Sequence, residues 1–163
     1  MKLLRLAAAV MMFAAAATAA PDAQGPRRNP SVPSVPVTTQ MVLAKPDAYA
    51  GRSVTLSSGV DEILSKTAFT VDQRKVDRKA VVKSGKPLLV IAPTLDTTLA
   101  VNNYLTIVGA VMKFDAATIA SKARDYQLDL PPDVAAKYQG QTVLLATSIV
   151  SSTSTELTRK PTP

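Results

Sequence analysis

Two long stretches of alternating apolar and polar residues, each interrupted midway by a glycine, constrain this chain more than any other feature. In the first, Val54, Leu56 and Val60 alternate with Ser53, Thr55 and Ser57, and Gly59 stands just before the continuation Asp61-Glu62-Ile63-Leu64. In the second, Tyr104 to Met112, the interruption is Gly109. Period-two alternation marks a strand buried on one face. A glycine inside such a strand forfeits packing, so its use points to a bulge, a bend or a close backbone approach. Closing a small sheet on itself needs curvature built in at such points.

Three shorter strands complete the pattern. Ala68-Phe69-Thr70-Val71-Asp72 returns after the turn Ser65-Lys66-Thr67, with Phe69 and Val71 inward. Leu88-Leu89-Val90-Ile91 is a buried strand bounded by Pro87 and Pro93, and Thr142 to Val150 is the last. Asn102-Asn103 forms a turn, since asparagine tolerates left-handed backbone. Helices are predicted over Thr38–Lys45, capped by Thr38 or Thr39 and stopped by Pro46; over Asp115–Ala123, capped by Asp115; and over Pro131–Tyr138. The fold expected is mainly β: a small five-stranded OB-type Greek-key barrel with a short N-terminal helix and a helical insertion before the last strand. Tyr49-Ala50-Gly51-Arg52-Ser53-Val54 and Tyr138-Gln139-Gly140-Gln141-Thr142-Val143 share one local pattern. Each glycine is placed to turn the chain from helix into strand through a left-handed conformation.

The run Pro46 to Leu64, followed by Ala68 to Asp72, resembles the opening of a family of exported bacterial OB-fold-like proteins. Val108-Gly109-Ala110-Val111-Met112-Lys113-Phe114-Asp115 and the Tyr138 to Val150 run are similar too, so the resemblance covers most of Met41 to Val150. It implies the barrel and export, and it carries no catalytic signature. Where similar chains have a compact acidic or glycine-rich turn after the second strand, this one has the basic stretch Arg74 to Lys86.

The ends of the chain speak to location. Lys2 and Arg5 precede the unbroken apolar run Leu6 to Ala17, and Ala17-Thr18-Ala19 has the small-x-small pattern of a cleavage site. The run is shorter than the ~20 residues that cross a bilayer. The expected organisation is a secretory signal peptide at 1–19, a proline-rich disordered leader at 20–37, the barrel at 38–150 and a disordered tail at 151–163. Location is expected to be periplasmic or secreted, with no transmembrane segment in the mature chain. Cleavage after Ala19 lowers the net charge from +7 by the two cations removed. With no cysteine, the exported domain must be held by its core alone.

Absent residue types narrow the chemistry. Without His or Cys, no Ser-His-Asp or Cys-His centre, conventional zinc site, histidine or thiolate haem ligation or thiol redox pair can be built. Lys83-Ser84-Gly85 has no Ser-x-x-Lys to accompany it, and Gly85-Lys86-Pro87 is no Walker loop. Asp61-Glu62 are neighbours on a strand, pointing to opposite faces and unable to flank one bond. Asp133 is expected to cap its helix and Asp129 to be solvated. No enzyme activity, cofactor or metal is expected.

Binding remains. Arg74, Lys75, Arg78, Lys79, Lys83 and Lys86 fall between the second and third strands, read as a polar loop beside the face that OB barrels use for polymers. The candidate ligand is an anionic envelope polymer or surface; the same six cations would equally serve solubility. Specific nucleic-acid binding is disfavoured, because single-strand binders interleave cations with stacking aromatics. Here Phe69 and Phe114 read as core, and Tyr49 and Tyr138 sit at turns. The alternative function is an envelope scaffold acting through a protein-protein interface, for instance at a strand edge.

Overall fold

The computed structural model describes residues 33–77, 80–95, 97–122, 126 and 128–158. The expected signal peptide and most of the leader lie outside them. Ten elements follow in order: β1 (Val35–Pro36), α1 (Thr39–Ala44), α2 (Pro46–Tyr49), β2 (Ser53–Ile63), β3 (Ala68–Asp77), β4 (Ala80–Ile91), β5 (Tyr104–Lys113), α3 (Ala116–Lys122), α4 (Pro132–Tyr138) and β6 (Thr142–Ser151).

The strands run β1-β2-β3-β4-β6-β5, and β2 also pairs with β5, which closes β2 to β6 into a five-stranded barrel. All barrel pairings are antiparallel except β4 with β6, which runs parallel through Leu89↔Val143, Val90↔Leu144 and Ile91↔Leu145. This is the mainly β, OB-type architecture with helices before the first and last barrel strands.

Alternation divides the apolar residues between two layers. Val54, Leu56, Phe69, Val71, Leu88 and Val90 fill the barrel, while Ala68, Leu89 and Ile91 on the opposite face pack with Phe114, Ile119 and Tyr138 beneath α3 and α4. Leu88 to Ile91 reads as an uninterrupted apolar run because both its faces are covered.

Closure depends on Gly109. Between Val108↔Ser148 and Gly109↔Ala146, β6 carries one extra residue, Thr147. A Cβ at position 109 would stand 2.4 Å from the Leu145 carbonyl oxygen and 2.9 Å from the Ala146 Cα. Only glycine lets β5 approach the bulged backbone this closely.

The repeated Tyr-x-Gly pattern forms the same turn twice. Ala50 (φ −53°, ψ 125°) and Gln139 (φ −53°, ψ 126°) are followed by Gly51 and Gly140 at φ +72° and +73°, the geometry of a type II turn. Arg52 N–H donates to the Tyr49 carbonyl and Gln141 N–H to the Tyr138 carbonyl, each at 2.9 Å. Both turns then grip the end of β5: Gly51 N–H donates to the Val111 carbonyl and Gly140 N–H to the Phe114 carbonyl.

Thr38 caps α1 by accepting from Met41 N–H at 3.2 Å. Asp115 caps α3 by accepting from Thr118 N–H at 3.1 Å. Pro46 ends α1 and also opens the single turn α2, since proline is suited to a first helical position. Asp133 corrects its expectation: the cap position of α4 is Pro131, and Asp133 lies in the first turn, where its charge suits the helix N-terminus.

Pairing and packing occur on both sides of residues 38–150. Val35 and Pro36 pair with Val54 and Thr55, and Val37 joins the core. At the other end Leu157 is buried, Val150 bridges Glu156, and Leu95 bridges Thr158. Glu156 fastens this return by accepting from Ile149 N–H at 3.0 Å and from the Ser148 hydroxyl.

Candidate functional site

The basic stretch is a ribbon and not a loop. β3 runs on to Asp77 and β4 starts at Ala80, with the register Gln73↔Ser84, Arg74↔Lys83, Lys75↔Val82, Val76↔Val81 and Asp77↔Ala80. Between Val71↔Leu88 and Gln73↔Ser84, the single residue Asp72 faces three on β4, Gly85, Lys86 and Pro87. That bulge divides the hairpin into a barrel part and an outer part. Gly85 supports it at φ +111°, a backbone region that favours glycine.

The six expected binding residues meet different fates. Lys86 is exposed in the bulge. Lys75 and Lys83 occupy ribbon positions opposite Val82 and Arg74. Arg78 and Lys79 lie outside the described residues. Arg74 is half-buried and acts as a clamp: its guanidinium donates to the Val60 carbonyl at 2.9 Å and to the Asn102 side chain. It therefore ties the base of the ribbon to β2 and to the turn before β5.

Gly59 serves this clamp. The Arg74 Nε lies 2.5 Å from where a Cβ on Gly59 would stand, so the glycine leaves the path along which the arginine crosses β2. Asp72, paired with Gly59, is buried at 1% exposure.

A second feature lies at one barrel end, where the β2–β3 turn meets the connection from β4 to β5. There a pocket of about 270 Å³ opens, with Phe69 and Leu99 in its floor and Lys66 at its rim. The turn beneath Lys66 is braced. Ser65 Oγ accepts from Thr67 N–H at 3.2 Å and Ala68 N–H at 3.0 Å, and the Thr67 hydroxyl donates to Asp129 at 3.0 Å.

Asp129 is thus a brace and not merely a solvated acid. Desolvation pushes its carboxyl up, but hydrogen bonds from the Ser65 and Thr67 side chains and the Lys66 backbone outweigh it, and the group sits below its ordinary value. Burial, followed by the negative charges of Glu62 and Asp61, raises the Tyr138 phenol.

Sequence reasoning identified the Ser65-Lys66-Thr67 turn but missed the pocket, whose opposite wall is supplied by Leu95, Thr97, Thr98 and Leu99. Among the described residues no group of three or more acidic residues is placed to hold a metal ion. None of their helices is long and apolar enough to cross a membrane. Phe69 and Phe114 are buried, and among the described residues Tyr104 is the large aromatic left exposed, at 49%. No family model and no curated protein matches this chain.

Proposed function

We propose that this protein is an exported, non-catalytic binding module of the OB type whose β3–β4 ribbon engages an anionic envelope polymer or surface. The observation that carries the reading is the ribbon register. Arg74 stands opposite Lys83, and Lys75 opposite Val82, so neither cation has an acidic cross-strand partner. Like charges directly opposite one another destabilise a strand pair by themselves. With Arg74 committed to Val60 and Asn102, an external anion would meet the cations at positions 75 and 83, and Lys86 in the bulge adds a further exposed cation. Export rests on the n-region, apolar run and cleavage pattern of the first nineteen residues, and predicts a mature chain beginning at Ala20, read from its intact mass.

A scaffold role through a protein interface is the second reading. It is favoured by the outer ribbon, where among the described residues 73–77 pair with 80–84 and with no third strand, the kind of two-stranded element that can take up a further strand. A salt titration separates the two. Binding of the full chain to polyglutamate or to phosphatidylglycerol vesicles should fall steeply with ionic strength under the first reading. Capture of an envelope protein that persists at high salt, with neither anionic probe bound at low salt, would favour the second.

A further inference from the structure

One outer face of the barrel is lined by short, uncharged side chains. Cross-strand partners share a face, so the register Thr55↔Val108↔Ser148, Ser57↔Thr106 and Gly59↔Tyr104 sets these residues side by side across β2, β5 and β6. All of these positions are described: Ser57 and Tyr104 are exposed, and Thr55, Thr106, Val108 and Ser148 are partly exposed. Sheet faces open to water ordinarily carry polar side chains, many of them long and charged. Here hydroxyls and a small apolar group take their place, which leaves the face low. Two charged groups at its border are already engaged. Arg74 crosses Gly59 and donates to the Val60 carbonyl and the Asn102 side chain; Glu156 accepts from the Ser148 hydroxyl and from Ile149 N–H.

Tyr104 supplies an aromatic platform. Its partner Gly59 has no side chain, and its hydroxyl donates to the Ser57 carbonyl at 3.4 Å, so the ring reaches from β5 over β2 instead of standing up into solvent. At 49% exposure it offers a π face. Beside it the Ser57 and Thr106 hydroxyls bond to one another at 3.2 Å. A hydroxyl has one proton and two lone pairs, so the bonded pair keeps a donor and several acceptor sites for a ligand. The negative face of an aromatic ring attracts C–H groups. A ligand that matches both features is uncharged, has a flat side of C–H bonds, and is edged with hydroxyls. A pyranose with equatorial substituents has that form, and β-linkage keeps such units in an extended chain that can follow a low face.

We infer that the β2–β5–β6 face binds a neutral, extended β-linked glucan, with one sugar stacked on Tyr104 and its hydroxyls bonded to Ser57 and Thr106. This binding uses no charge and does not rest on the ribbon's function.

The test uses the full chain, amide chemical shifts and cellohexaose. The shifts should saturate, centred on residues 55–59 and 104–108. The affinity should be the same at low salt and near ~1 M salt, where the screening length is ~3 Å. Anion binding at the ribbon would be lost over that range, so the two readings fail separately. Tyr104→Phe keeps the ring and should stay within about threefold of the parent. Tyr104→Leu keeps an apolar cover beside Gly59 but removes the π face, and should weaken cellohexaose at least about fivefold. Ser57→Arg, a change at an exposed position, lays a long side chain across the face and should abolish binding. Non-saturating shifts, shifts centred elsewhere, an affinity that falls with salt, or an unchanged affinity in Tyr104→Leu would each overturn the inference.

Discussion

Replacing Gly109 by alanine adds one carbon at the point where the barrel has least room for it. The new Cβ would meet the Leu145 carbonyl oxygen at 2.4 Å and the Leu145 carbonyl carbon and Ala146 Cα at 2.9 Å. These are well inside van der Waals contact. All three are backbone atoms of a strand paired on both sides, so no flexible side chain can swing away. β5 and β6 must separate locally. Overpacking of this kind costs ~1–3 kcal/mol, and weakening one or two ladder hydrogen bonds adds ~1 kcal/mol each, giving roughly 2–5 kcal/mol in all. Gly51→Ala is the comparator. Its φ of +72° makes any side chain strained, yet nothing lies within 4 Å of the added carbon. It should cost about 1 kcal/mol. Urea unfolding of the two variants, at unchanged m-value, checks the difference. A Gly109→Ala loss below about 0.5 kcal/mol, or one no larger than that of Gly51→Ala, would show that steric closeness at the β6 bulge is not what makes glycine necessary.

Leu157→Ala should destabilise the domain by roughly 2–4 kcal/mol in the same assay, because its side chain is buried within the barrel core; a neutral result would detach the C-terminal return from the fold. Acid stability should depend on Asp115, Asp129 and Glu156. Asp115 is lowered by hydrogen bonds from Thr118 and Gln139; in Asp129 and Glu156 hydrogen bonding overcomes the upward push of desolvation. A carboxyl lowered in the folded state contributes stability that is complete above its unfolded value of about 4 and is lost as pH falls through the folded value. Asp129→Asn should therefore be less stable at neutral pH and flatter in stability below about pH 5, as unfolding across a pH series would show.

The barrel strands were legible because alternation and burial coincide in them: Phe69 and Val71 were read as inward and lie in the core. Gly109 was legible as a strand irregularity, and the twin Tyr-x-Gly turns as left-handed glycines. The ribbon was not. Residues 73–77 and 80–84 pair with one another in a stretch whose sequence shows no apolar alternation, and the Gly85-Lys86-Pro87 bulge reads locally as a boundary. Nor was the role of Arg74 visible, because its half-buried path depends on Gly59, fifteen residues earlier, and on Asn102, a further turn away. Leu157 falls within the stretch 151–163 expected as a disordered tail. Its burial follows from Glu156, whose bonds to Ser148 and Ile149 reverse the chain onto β6.

Reversing charge on the ribbon while sparing its clamp tests the proposed function most directly. Lys75→Glu, Lys83→Glu and Lys86→Glu together leave Arg74 bonded to Val60 and Asn102. They turn three ribbon and bulge positions from positive to negative. Binding to polyglutamate and to phosphatidylglycerol vesicles should drop at least about tenfold at low salt. The gap should close as the screening length falls toward ~3 Å near 1 M salt. A folded triple variant that binds these anions as the parent does, at every salt concentration, would contradict the account.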